Sequence, residues 1–284
     1  MSHIAYVNGE FLPLEQARVS IEDRGFQFAD GVYEVVACYG GRFLALTAHL
    51  ERLARSCAEI GLTMPLSVDG LSSIVRQTYE KNRVDDAMIY MQITRGVAPR
   101  VHVPAHELSP TLVITVRALP EPSDEKILYG AAGVTLDDFR WKRCDIKSIA
   151  LLASVMGKQQ AVRAGADEAF WLDADGYVLE GSSTNIMAVI DDMLTTHPSD
   201  QRILGGITRD IVLKLAAEDG ISVDERPWRL EEAGLSECIM TSTTNAALAV
   251  VRMDGKPIGD GKPGPMEARL RKLFLDYVEH QETI

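Results

Sequence analysis

Apolar positions recur along the chain with two periods, near 2 and near 3.6, and the switches between them mark strands and helices. Tyr6-Val7-Asn8-Gly9-Glu10-Phe11-Leu12 sets an Asn-Gly pair between two apolar arms. That is the pattern of a two-residue hairpin, in which both turn residues accept positive φ. Val32 to Tyr39 is a β-branched and aromatic run that ends in Gly40-Gly41 and predicts a strand with Tyr33 and Val35 on one face. From Thr47, which the pattern makes the cap, a helix turns Leu50, Leu53, Ala54, Cys57 and Ile60 inward, leaves Arg52 on its other side and stops at Gly61. A second helix follows Asp69 through Leu71, Ile74, Val75, Thr78 and Tyr79, and strands are predicted for Met88–Thr94 and Thr111–Val116.

The paired prolines and charges of Leu119-Pro120-Glu121-Pro122-Ser123-Asp124-Glu125 disfavour helix and ladder alike and predict a linker. The chain is thereby divided into residues 1–119, a connection over 120–125, and residues 126–284. In the second part Ile149, Leu152, Ala153 and Met156 form an i, i+3, i+4, i+7 row, read as a core-packed helix running to about Gly165. A hairpin follows, Glu168–Leu172 and Tyr177–Leu179 around Asp173-Ala174-Asp175-Gly176. Further on come a helix with Ile211, Val212, Leu215 and Ala216 inward, a strand from Cys238, and an amphipathic helix from Pro265 through Leu270, Leu273, Phe274, Tyr277 and Val278.

With 284 residues, 46% of them hydrophobic and 25% charged, the chain can bury one large or two medium cores. Its 29 basic and 41 acidic residues give a net charge of −12, with no basic face to follow a nucleic-acid backbone. No stretch approaches the length of a membrane span and the first residues do not read as an export signal, so a cytoplasmic protein is expected. Cys38, Cys57, Cys144 and Cys238 lack metal-ligand spacing; no metal site is expected, and reduced thiols are.

Candidate chemistry gathers at polar interruptions. Lys147, at the mouth of the predicted lysine helix, would be partly desolvated, which favours a reactive amine able to form a Schiff base with an aldehyde. Glu180 interrupts a strand, and an acid there is costly unless something cationic or protonated meets it. Gly205-Gly206 feed a helix whose first amides, those of Ile207 and Thr208, form a natural anion site. Thr243 and Thr244 lie in a hydroxyl cluster suited to a phosphate. Arg100 and His102, two residues apart in the cationic loop Arg95–Pro104, suit the clamping of a carboxylate. A poised lysine, an acid, an arginine and two anion cradles are the requirements of pyridoxal phosphate, which needs an amine for its aldehyde, an acid for its ring nitrogen and donors for its phosphate.

The sequence resembles the fold type IV pyridoxal-phosphate enzymes of the branched-chain and D-amino-acid aminotransferase superfamily over nearly its whole length. The landmarks are Ser20 to Glu34 (SIEDRGFQFADGVYE), His49-Leu50-Glu51-Arg52-Leu53, Asp145-Ile146-Lys147, Glu180-Gly181-Ser182-Ser183-Thr184-Asn185 and Gly206-Ile207-Thr208-Arg209. The resemblance implies an α+β fold with a small N-terminal α/β domain and a larger C-terminal mixed, barrel-like sheet with helices. It implies Lys147 as the Schiff-base lysine, Glu180 as partner of the pyridine nitrogen, and Arg52, Ile207, Thr208, Thr243 and Thr244 as phosphate ligands. The loop Arg95 to His102 is most similar to the D-amino-acid branch, which implies a carboxylate trap of Tyr33, Arg100 and His102. In that branch the arginine and histidine come from the other subunit of a homodimer. The expected activity is transamination between a D-amino acid, D-alanine foremost, and a 2-oxo acid such as 2-oxoglutarate. The rival readings are a branched-chain L-amino-acid aminotransferase, an aminodeoxychorismate lyase of the same fold, and a non-catalytic cofactor-binding protein.

Overall fold

The computed structural model describes residues 3–120 and 122–280, which form two compact units. The first unit takes the chain up to Pro120 together with Ile146–Ala150; the second takes the segment ending at Asp145 and Leu151–His280.

The first unit opens with β1 (Ile4–Val7) and β2 (Glu10–Pro13), joined at Asn8 and Gly9, whose φ values of 47° and 103° are those the Asn-Gly pair permits. After the short α1 (Arg24–Phe28) come β3 (Gly31–Tyr39), β4 (Arg42–Phe43), α2 (Leu46–Glu59), α3 (Val68–Asn82), β5 (Asp86–Thr94) and β6 (Thr111–Ala118). They build an antiparallel six-stranded sheet in the order β2-β1-β6-β5-β3-β4. One sheet face meets α2 and α3 over Val32, Val36, Leu50, Leu53, Leu71, Val75, Ile89, Met91 and Ile114. Ile146 joins this core, which draws the flanking Lys147 into the first unit.

The second unit contains α4 (Asp124–Tyr129), β7 (Ala131–Asp137), α5 (Leu152–Arg163), β8 (Glu168–Leu172), β9 (Val178–Gly181), β10 (Asn185–Ile190), β11 (Met193–Thr196), α6 (Ile207–Glu218), β12 (Val223–Glu225), β13 (Leu235–Ser242), β14 (Ala246–Met253), β15 (Lys256–Pro257) and α7 (Pro265–Glu279). Its sheet runs β12-β11-β10-β13-β14-β7-β8-β9, with β15 on β14. It is mixed, because β7 lies parallel to both β14 and β8. The sheet curls until β9 approaches β10. Phe170, Ile186, Ala188, Trp228, Met240, Leu248 and Val250 fill its core. The protein is thus α+β, with a mainly antiparallel unit and a curled mixed one. Among the described residues no helix is long and apolar enough to cross a membrane.

Four local expectations fail, each for a physical reason. The cap of α2 is Ala45 in the left-handed region, not Thr47, which lies inside the first turn. Arg52 is not on the outer side of α2: it is buried with Leu50 and Leu53, because an acid in the neighbouring strand meets it. Asp124 and Glu125 are helical, since the Ser123 hydroxyl accepts from the Lys126 amide and starts α4 inside the predicted linker; Glu121 lies outside the described residues. The row behind Lys147 does not face a core. Ile149 precedes α5, Leu152 is 72% exposed and Met156 46%, and the inward positions are Gly157 and Ala161. A Cβ on Gly157 would stand 2.6 Å from the Trp171 ring, so the helix approaches β8 closely enough to require glycine.

Candidate active site

In the first unit Lys147 stands on a short extended segment beside β3. Tyr33 donates its amide to the Lys147 carbonyl at 3.0 Å, Ser148 bridges to Val32, and the Lys147 amide donates to Ser56 Oγ at 3.3 Å. The lysine is held by strand pairing, not by a helix start. Its Nζ lies 4.5 Å from the centre of the Tyr33 ring, which stacks at 5.8 Å on Tyr90. The structure therefore brings Tyr33 and Lys147 together, as two side chains on adjacent extended segments.

One residue along β3, on the opposite face, Glu34 is fully buried. It accepts from Arg52 Nε at 2.7 Å and Nη2 at 2.8 Å, and makes a 2.7 Å contact with His49 Nδ1. Burial opposes the charge of Glu34, but the hydrogen bonds from Arg52 and then His49 outweigh it and hold the carboxyl down at about 2. His49 is pushed below its ordinary value, mainly by burial, which favours the neutral ring. This trio carries no net charge with His49 neutral, so Arg52 acts as an oriented donor more than as a bare cation. Glu34, His49 and Ser56 were not singled out from sequence. Their signal was present: Glu34 shares the inward period of Val32 and Val36, and His49, Arg52 and Ser56 form a polar line at i, i+3 and i+7 among Leu46, Leu50, Leu53 and Cys57.

In the second unit the acid in the strand meets its cation. Glu180 Oε1 forms an ion pair with Arg140 Nη1, while Oε2 accepts from the Leu204 amide at 3.0 Å and from Asn185 Nδ2 at 3.2 Å. Arg140 in turn is aimed by Asp138, 2.9 Å from its Nε, and lies 5.3 Å from the Trp171 ring centre. Asn185 also donates to the Leu204 carbonyl at 2.9 Å, tying the turn before α6 to Glu180. Gly206 is required there, because a Cβ would fall 2.0 Å from Asn185 Oδ1. Arg140 lies close to Lys147 in the chain, and only the curled sheet carries it to β9.

The amides of Ile207 and Thr208 open the twelve-residue α6 on Gly206 with no side-chain cap, so the positive end of its dipole keeps its first N–H groups for an anion. Thr243 and Thr244 lie in the β13–β14 turn, where Ser242 Oγ and Thr244 Oγ1 stand 3.3 Å apart. The Thr241 hydroxyl beside them is buried without a hydrogen-bond partner. Arg100 and His102 are exposed and gather around Phe28: the Arg100 guanidinium is 4.9 Å from its ring centre and the His102 ring 5.7 Å. Tyr33 keeps company with Lys147 and Tyr90. Among the described residues no group of three or more His, Cys, Asp or Glu is placed to hold a metal ion.

A family model described as amino-transferase class IV matches residues 31–253, most of the chain and all of the segments just described except the loop's anchor in α1. The chain belongs to the class IV aminotransferase family. Among its relatives, a D-alanine aminotransferase of Staphylococcus aureus (strain N315) is 40% identical over 276 residues, covering 96% of this chain and 97% of its own. A D-alanine aminotransferase of Bacillus licheniformis is 41% identical over 272 residues, 95% of each chain. Two solved branched-chain amino acid aminotransferases share the fold at 26% identity. The Escherichia coli enzyme has a TM-score of 0.91 and covers 97% of this chain and 94% of its own. The T.th. enzyme, solved with pyridoxamine 5'-phosphate, has a TM-score of 0.91 and covers 99% and 96%. Each unit carries groups of the kind such a cofactor needs: the first has the amine of Lys147, and the second has the Glu180 carboxyl held by three donors, an uncapped helix N-terminus and threonine hydroxyls.

Proposed function

We propose that this aminotransferase uses pyridoxal phosphate to move the amino group of a D-amino acid, D-alanine foremost, to a 2-oxo acid such as 2-oxoglutarate. The observation that carries the D-specific reading is the contrast in identity: about 40% to D-alanine aminotransferases over nearly the whole chain against 26% to the branched-chain enzymes of the same fold. When bound, the cofactor supplies an aldehyde that condenses with an amine and a ring that absorbs the electron pair left by a departing proton.

The chain's own residues do the rest. Lys147 Nζ would hold the cofactor through its amine and would serve as the base that takes up the substrate α-proton and gives it back. The Tyr33 ring, 4.5 Å from Nζ, orients the amine. Glu180, oriented by Arg140, Asn185 and the Leu204 amide, would pair with the ring nitrogen and favour its protonated form. Arg52, the amides of Ile207 and Thr208, and Thr243 and Thr244 would hold its phosphate. Tyr33, Arg100 and His102 bind the substrate carboxylate.

A homodimer completes the reading, with Arg100 and His102 serving the partner's site. Leu152, Val155, Met156 and Val162 on α5, with Phe139 and Trp141, expose between 46% and 72% of their surface, and a second copy of this chain would cover them. A cytoplasmic setting suits four free cysteines.

The test is turnover of purified enzyme on D-alanine, L-alanine and L-leucine with 2-oxoglutarate. Turnover of D-alanine is expected; turnover of the L-forms alone would replace the proposal with the branched-chain reading, and pyruvate release without an acceptor would replace it with a lyase. Lys147→Ala should lose both the visible cofactor absorbance and the activity. Mixing Lys147→Ala with Arg100→Ala subunits should restore turnover at the parent KM, which neither variant has alone, and no restoration would place each trap on its own subunit.

A further inference from the structure

The loop that carries Arg100 and His102 is exposed, yet it is held from below by a buried arginine that the chemistry above does not use. Arg24 is 4% exposed and opens α1. Its Nη1 donates to the Val101 carbonyl at 2.5 Å and its Nη2 to the His102 carbonyl at 2.9 Å, while Nε donates to Asp30 Oδ2 at 2.8 Å. Asp30 is gripped on its other side by Arg95, through Nε at 2.8 Å and Nη2 at 2.9 Å. The start of the loop is fastened to the same segment: Arg24 donates its amide to the Gly96 carbonyl at 2.9 Å, and Val97 bridges to Asp23. Phe28, one turn after Arg24 and on the same side of α1, has Arg24 4.8 Å and Arg100 4.9 Å from its ring centre.

Two successive carbonyls held by one planar guanidinium fix the backbone on both sides of the His102 Cα. The fork geometry suits this, and a point-charge ammonium would reach one carbonyl more readily than both. We propose that Arg24, locked by Asp30, is a positioning residue that presets the 101–102 backbone and so sets the affinity of Arg100 and His102 for the substrate carboxylate. This rests on the reading of that pair as the carboxylate trap. Without the lock, each binding event must itself order the loop, at a cost that is equal before and at the transition state, so affinity falls and the chemical step does not.

The experiment is steady-state kinetics of the holoenzyme with D-alanine and 2-oxoglutarate. Arg24→Ala is expected to raise KM for D-alanine about tenfold or more with kcat within about threefold, the signature of lost uniform binding, and to keep the visible cofactor absorbance. Arg24→Lys is expected to recover part of that rise, and Phe28→Leu to raise KM in the same direction. Should Arg24→Ala not fold, Arg24→Lys and Phe28→Leu carry the test. A KM within about twofold of the parent in the folded variants, or a loss confined to kcat, overturns the proposal. Arg100→Ala separates the two claims: an unchanged KM there sinks the trap itself, whereas a raised KM there beside unchanged Arg24 and Phe28 variants sinks only the positioning role.

Discussion

Replacing Glu34 with glutamine removes the charge that meets Arg52 while keeping the side chain's shape. In the parent, Glu34 has no exposed surface and its carboxyl is held at about 2 against an ordinary 4.5. At about 1.36 kcal/mol per pH unit, that interval is worth about 3 kcal/mol of folding free energy. Breaking a buried ion pair from one side costs about 3–5 kcal/mol, a consistent figure. The sign follows from a depressed acid: the contribution is fully present above pH 4.5 and is lost as pH falls toward 2. Apo Glu34→Gln is therefore expected to be less stable than the parent by about 3 kcal/mol at pH 7, with the gap narrowing steadily below pH 4.5. The three tryptophans, Trp141, Trp171 and Trp228, lie outside the first unit, so their fluorescence would report the wrong region. Hydrogen exchange of the β3 and α2 amides under native conditions reads the right one. A gap below about 1 kcal/mol at pH 7, or one that stays constant down to about pH 3, would refute the account of Glu34 as the buried counter-charge of Arg52.

Arg52→Ala should weaken cofactor affinity more than it slows turnover, since a phosphate contact is largely uniform binding; a cofactor titration with unchanged affinity contradicts this. Arg140→Met leaves Glu180 without its guanidinium, and kcat is expected to fall by about tenfold or more, measured at saturating cofactor; a change under about twofold would mean that Asn185 and the Leu204 amide suffice. In α7 the Glu267 carboxyl is pushed up to about 7, by burial first, with Arg271 opposing and Glu237 adding to the rise. A raised acid stabilises the fold fully below pH 4.5 and loses that contribution as pH climbs through about 7, so Glu267→Gln should unfold at higher urea than the parent at about pH 8 and match it at about pH 4. Equal midpoints at both values count against it.

Much of this protein was legible in its sequence because short-range chemistry dictated it. Asn8-Gly9 can turn a hairpin by φ alone, the run from Val32 to Tyr39 has no better use than a strand, and Gly206 before Ile207 opens a helix on a free anion cradle. Those signals need only neighbours in the chain. What the tertiary structure decided is which partners meet across distance. Lys147 is positioned by strand pairing to Tyr33 and Val32 rather than by the helix behind it, and the apolar row of that helix faces outward because Gly157 and Ala161 are the positions that fit under Trp171. Arg52 lies inside because Glu34 waits in β3, Glu180 is tolerated in β9 because the curled sheet delivers Arg140, and the loop of Arg100 and His102 has a shape because Arg24 reaches 77 residues along the chain to hold it. A local pattern states what a residue prefers; a buried charge is stable only where a distant partner cancels its desolvation, and that pairing exists only once the chain has folded.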